Sequence, residues 1–376
     1  MAASNAEEGL MPSMNWFRAI LLGILVVALG VPPAALRAHA QQEGPEKTAP
    51  PQSAPLPTPT QQTPTQAPKA TPQAQSVITA QTNLVTLDVT VTNDKGDVLT
   101  GLKKQNFVVL DDDKPQQITN FAPSEAPITI VILMEFSRAA SSWGFFGYKA
   151  KEWAAGFLSH LGDKDWVAFK TFDLKTTLQV DFTRNKNEVL QSISSLYFPD
   201  FSEANIFDAL IETLDEMRDV QGKKSILLLT TGIDTFSKHT LDQTYKRLKE
   251  TDVTIFCVGM GEEIDLYSRN GGGVTYLQAK NELTTFGQMT GGYAWFPRFY
   301  GEMPDIFNSV AALLRSQYTL GFAPLTGPDG KYHKLKIEVV DDAGNPLTFP
   351  DKKGHPKKPV VYARQGYSSP KPNPAD

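Results

Sequence analysis

The chain has 376 residues, with 36 Lys and Arg against 41 Asp and Glu, giving a net charge of −5. That length exceeds one ordinary domain, and the dispersed basic residues exclude the basic face of a nucleic-acid binder. A lone cysteine, Cys257, excludes an intrachain disulfide, and its apolar run Val253–Val258 reads as the site of a buried, inert thiol.

The N-terminus reads as an export signal. Arg18 is a basic flank, and Ala19–Val31 is an apolar core of about 13 residues, within signal-peptide range. Pro32 and Pro33 break it, and Ala38-His39-Ala40 places small residues at the cleavage-determining positions. Residues 1–40 are therefore predicted to leave by cleavage before Gln41, giving a periplasmic or secreted protein with no integral membrane span. The uncharged run reaches Leu36, about 18 residues, so an uncleaved anchor is the alternative. Residues 41–76 are rich in Pro, Gln and Thr and nearly free of large apolar side chains. They predict a disordered, extended tether.

Residues 77–122 predict a small antiparallel β-unit. Val85, Leu87, Val89 and Val91 alternate with Leu84, Thr86, Asp88, Thr90 and Thr92, the period of a half-buried strand. Asn93–Gly96 is a turn. Further strands are expected at Asn106–Leu110 and Gln117–Phe121. Asp111, Asp112 and Asp113 raise calcium, but no further ligand follows at loop spacing, so they read as a solvated hairpin tip.

Residues 127–322 alternate strand with helix. Strands are predicted at Ile128–Met134, Asp165–Phe172, Thr177–Phe182, Ser225–Thr230, Val253–Val258 and Gly292–Phe296. Helices are predicted at Ser142–Leu161, Asn185–Leu196, Asn205–Val220, Thr240–Glu250, Asn281–Met289 and Pro304–Ser316. The continuous apolar strands fit a sheet covered on both faces, and the alternation predicts an α/β fold with a doubly wound, mostly parallel, Rossmann-like sheet. Residues 323–367 predict a C-terminal β-segment that joins the first β-unit, with strands at Lys331–Val340 and Val360–Tyr367. Residues 368–376 predict a loose tail.

This order of elements resembles the exported von Willebrand factor A-related proteins of the acidobacterial type. The resemblance rests on Asp94-Lys-Gly96, Gly101–Phe107, Asp112–Pro115 and Ile118–Phe121 before the core, and on Tyr318–Phe322, Gly330–Ile337 and Ala363–Tyr367 after it. It implies three loops at the C-terminal edge of the sheet that build a metal-ion-dependent adhesion site from Asp-x-Ser-x-Ser, a Thr and an Asp. By position, this chain offers Glu135, Ser137 and Ala139 in the first loop, Ala204 in the second and Thr231 in the third. Only Ser137 keeps the expected type. Glu is a methylene too long for a tight octahedral Mg²⁺ site, and the alanines bring no ligand. Glu203, Ser141 and Asp234 are nearby oxygen donors. Glu135 reads as a strand-end carboxylate held by Ser137 or backbone N–H groups, and Asp208 as a capping or packing residue. The expectation is a degenerate site with no cofactor, Mg²⁺ or Ca²⁺ being the alternative.

The resulting functional reading is an exported, non-enzymatic, metal-independent binding module for an unknown protein partner. Its candidate contact residues are Glu135, Ser137, Trp143, Phe145, Phe146, Phe201 and Asp234. The alternative is that Trp143, Phe145 and Phe146 start the first helix and face the core, and Phe145 and Phe146 read equally either way. A structural or assembly subunit of a cell-envelope complex is the alternative. An exported hydrolase is third, because no Gly-x-Ser-x-Gly elbow, metal-spaced histidine pair or phosphate loop is present.

Overall fold

Continuous apolar strands dominate the middle of the chain, and they stack side by side. A computed structural model describes residues 44–47, 84–122, 126–141, 148–197, 199–260, 273–351 and 353–372. The expected export signal and the Trp143–Phe146 stretch lie outside the described residues.

The α/β part centres on β5 (Ile128–Glu135), buried along its whole length. It pairs in parallel with β6 (Trp166–Phe172) and β8 (Lys223–Thr230). Next to β8 runs β9 (Thr254–Gly259), followed by the short β10 (Ala294–Trp295); β7 (Thr176–Thr183) closes the other edge antiparallel to β6. Successive side chains point to opposite faces, so the same strands feed two cores. Ile128, Ile130, Ile132 and Met134 pack with α2 (Tyr148–Ser159), α3 (Lys186–Ser195) and α7 (Met303–Arg315). Val131 and Leu133 pack with α4 (Ile206–Glu216), α5 (Leu241–Glu250) and α6 (Gly273–Thr290). A short α1 (Arg138–Ser141) follows β5. The fold class is thus α/β, with a mostly parallel sheet between helices. Helix α6 begins earlier than the expected Asn281, because its first turns carry no apolar stripe; Leu277 there is 58% exposed.

The flanking segments form two four-stranded sheets. One runs in the order β15 (Val360–Tyr362), β1 (Val85–Thr92), β11 (Tyr318–Phe322), β4 (Ile118–Ala122). The other runs β16 (Gly366–Ser368), β12 (Tyr332–Val339), β2 (Phe107–Asp111), β3 (Lys114–Gln116). Their inner faces share one core, in which Leu87, Val89, Phe107, Val109, Leu320, Phe322 and Val339 meet. A two-stranded ribbon, β13 (Phe349–Pro350) with β14 (Pro356–Lys357), stands beside them.

Three boundaries differ from the sequence reading. Tyr318–Phe322 was expected to end the α/β segment, but it lies antiparallel between β1 and β4, and its Tyr318, Leu320 and Phe322 join their shared core. Within the expected tether, Lys47 bridges Val220, and Glu46 accepts a hydrogen bond from Gln221 N at 2.8 Å. The expected loose tail is pinned as far as Pro370, which accepts from Gly330 N at 2.9 Å, while Ser369 N donates to Lys331 at 2.8 Å. Among the described residues, no helix is long and apolar enough to cross a membrane.

Candidate functional site

The C-terminal ends of β5 and β8 bring Glu135, Ser137, Thr230 and Thr231 together. Glu135 is 1% exposed, and Ser137 and Thr230 are fully buried. Ser137 Oγ donates to Glu135 Oε1 at 2.7 Å. Thr230 Oγ1 donates to Oε2 at 2.7 Å, Thr231 N at 2.7 Å and Thr231 Oγ1 at 2.9 Å. Ser137 Oγ also accepts from Ala140 N at 3.1 Å, at the first turn of α1. A buried carboxylate is costly unless its oxygens are satisfied, and charge-assisted donors of this kind do so. The arrangement is a closed cage around one negative charge.

These residues do not fit the five-ligand Mg²⁺ site of the related fold. Ala139 lies in α1 and Ala204 is buried, and neither side chain has a ligand atom. Thr231 spends both its N–H and its hydroxyl proton on Glu135. An ion at this edge would have to displace donors that already saturate Oε2.

The other acids of the edge are engaged elsewhere. Asp234 accepts from Ser237 Oγ at 2.5 Å and from Phe207 N at 3.4 Å, so its charge faces the N-terminus of α4, a favourable position for an anion. Glu203 accepts from Ser202 N at 3.0 Å. Among the described residues, Glu135, Glu203 and Asp234 form no group of ligand atoms within 4.8 Å of one another. Ser141 lies in α1. Trp143, Phe145 and Phe146 are not among the described residues. Phe201 is 40% exposed, and its carbonyl accepts from Arg138 N at 2.7 Å, which holds the second loop against the first.

Sequence reasoning missed several members of this edge. Asn205 ties two loops, donating to Leu174 O at 3.0 Å and accepting from Phe236 N at 3.1 Å. Thr235 holds Ala204 through a pair of hydrogen bonds, at 3.2 and 2.9 Å. Phe236 is 67% exposed. Its signal was present, a large apolar residue two positions after Asp234 in a loop without apolar periodicity.

Asp208 joins α4 to the turn before α5. It accepts from Lys238 N and His239 N, each at 3.0 Å, and lies 2.7 Å from His239 Nδ1. Burial works against its charge, but these donors outweigh it and hold the carboxyl below its usual range. A lowered folded-state pKa adds stability that is present above the unfolded value and disappears as pH falls through the folded one. Asp208→Asn should therefore lower stability by about 1 kcal/mol at neutral pH, and the gap should close below about pH 4. Denaturant midpoints of both proteins from pH 7 to pH 2.5 check this; a gap that persists in acid would refute the role of the charge.

The von Willebrand factor type A domain model matches residues 129–271. No curated protein sequence matches. Among solved structures, proximal thread matrix protein 1 of the mussel byssus is similar at 16% identity and a TM-score of 0.41, over 53% of this chain and 49% of its own. This chain thus spans about half the length of that protein. The von Willebrand factor type A protein of Catenulispora acidiphila is similar at 10% identity and a TM-score of 0.40, over 76% and 75% of the two chains. The conserved hypothetical protein BatB of Bacteroides thetaiotaomicron is similar at 15% identity and a TM-score of 0.35, over 50% of this chain and all of its own. The sequence match covers the strands and helices that carry the Glu135 edge, and the chain accordingly contains a von Willebrand factor type A domain at residues 129–271, flanked by the strands of an antiparallel sandwich.

Proposed function

We propose that this protein is an exported, non-enzymatic binding module that captures a protein partner on the loop edge around Glu135, without a bridging metal ion. The cage carries this reading. The carboxylate that would open a metal site is saturated by Ser137, Thr230 and Thr231. Among its exposed residues the edge offers aromatic side chains, Phe201 and Phe236, with Tyr197 in the same loop as Phe201. Large aromatic side chains are the usual anchors of protein contacts. The type A domain match supports an interaction module.

The test is capture of partner from the native envelope fraction by the wild type and by a Phe201→Ser/Phe236→Ser double variant. Capture should fall at least tenfold, with Tm unchanged. Millimolar Mg²⁺ or Ca²⁺ should leave the wild-type Tm unchanged, since an ion held only by the native state must raise it. Undiminished capture would reject the aromatic edge. A Mg²⁺-dependent rise in Tm that Ser137→Ala removes would reject metal independence.

A further inference from the structure

The three consecutive aspartates of the first hairpin are not all at a solvated tip. Phe107, Val109 and Asp111 alternate inward along β2, and Asp111 is only 3% exposed. The hairpin loop is Asp112-Asp113, both with positive φ (46° and 62°), as a two-residue turn of this twist requires. It lies against His333 of β12, which is 5% exposed and stacked on Tyr367 at 5.2 Å.

Each of these side chains is fastened by one atom and turns a second toward a shared point. Asp111 Oδ2 accepts from Tyr367 Oη at 2.9 Å, whereas the buried Oδ1 has no hydrogen-bond partner. Asp112 Oδ1 accepts from Lys334 N at 2.9 Å. His333 Nε2 lies 3.1 Å from Asp329 Oδ1, whereas the buried Nδ1 has no hydrogen-bond partner. Asp111 Oδ1 lies 3.4 Å and Asp112 Oδ2 3.0 Å from Nδ1, and all three atoms fall within 4.8 Å of one another. Two buried polar atoms without a hydrogen bond on one centre are expensive, and a cation between them would satisfy both.

We propose that Asp111, Asp112 and His333 form a divalent transition-metal site of the zinc type, separate from the Glu135 edge. Bonds of about 2.0–2.2 Å to nitrogen and carboxylate oxygen place tetrahedral ligands roughly 3.3 Å apart, close to the separations here. One imidazole with two carboxylates suits Zn²⁺ better than Mg²⁺ or Ca²⁺, which prefer oxygen throughout. Asp329 holds Nε2–H and leaves Nδ1 as the ligating lone pair, the usual carboxylate–histidine–metal relay. Asp112 is half-exposed, so the site opens to solvent through the turn and leaves room for a water as fourth ligand. The ion would brace β2, β12 and, through Tyr367, β16.

Isothermal titration of the untagged, chelator-treated full chain with Zn²⁺ tests this. One equivalent should bind, and Tm should rise with free Zn²⁺. Co²⁺ should give the visible absorption of a low-symmetry, four- or five-coordinate centre. His333→Gln should abolish binding. Asp329→Asn, which removes the orienting carboxylate but keeps an oxygen for Lys331 N, should weaken it 10–100-fold while retaining the native circular dichroism. Ser137→Ala should leave it unchanged. Absence of binding by wild type, or equal binding by His333→Gln, would overturn the site. Loss through Ser137→Ala would move the ion to the Glu135 edge instead.

Discussion

Replacing Glu135 by alanine should cost about 3–4 kcal/mol of stability, although the residue touches no surface. The loss is not that of one contact. Four donors, the hydroxyls of Ser137, Thr230 and Thr231 and the N–H of Thr231, would face an empty cage at once. Each is buried, and each would carry its own desolvation penalty unless water entered. Two further variants separate the shape of the cage from its charge. Glu135→Gln keeps the length but brings an amide NH₂ among donors, and should lose about 1–2 kcal/mol. Glu135→Asp restores the acid expected at the start of a type A metal site, yet pulls the carboxylate back by a methylene. A carboxylate acting mainly as a structural acceptor should suffer from the shortening, by about 1–2 kcal/mol. Urea midpoints with and without Mg²⁺ give the answer. A Glu135→Asp protein more stable than wild type, and further stabilised by Mg²⁺, would show that the edge still belongs to ion chemistry.

The sequence made the α/β part legible because its cues are local. Strands β5, β8 and β9 are continuous apolar runs, which is what burial on both faces demands. The helices that cover them, α4 and α7 above all, carry apolar stripes at helical spacing. What escaped depends on pairings distant in sequence. Tyr318–Phe322 follows α7 directly, so chain order suggested the α/β sheet; its place between β1 and β4 is set by strands some 200 residues earlier. Asp111 looked solvated beside two other aspartates, yet period two along β2 already placed it on the face of Phe107 and Val109. Its partner Tyr367 is 256 residues away and could not be read locally. The cage shows the same limit. Ser137 is two residues from Glu135 and was named, while Thr230 became a partner only through the parallel pairing of β5 with β8.

The close approach of α6 to β9 predicts the largest single effect in the fold. Gly292→Ala should prevent accumulation of folded protein or cost more than about 4 kcal/mol. The chain leaves α6 at Gly291, with φ at 81°, and runs close against β9 before entering β10 beside it. A Cβ at Gly292 would overlap the Ile255 carbonyl oxygen and lie 2.6 Å from its carbon. Neither partner can yield. Ile255 is wholly buried near the start of β9, and its N–H is tied to Thr290 Oγ1 at 3.0 Å. Gly292 N donates to Gly287 O at 2.9 Å, and Tyr293 O accepts from Cys257 N at 2.9 Å, so the turn is fastened on both sides. Moving it outward would also disturb the C-terminal return, where Gln365 N bonds Met289 O at 3.2 Å. Gly354 is the control. Its φ is 81°, a strain that Gly292 does not carry, but nothing lies within 4 Å of its would-be Cβ, so Gly354→Ala should cost only about 1 kcal/mol of backbone strain. Soluble yield and urea midpoints for the two variants separate a steric collision from mere strain. A Gly292→Ala protein as stable as Gly354→Ala would mean that α6 does not seat on β9 this closely.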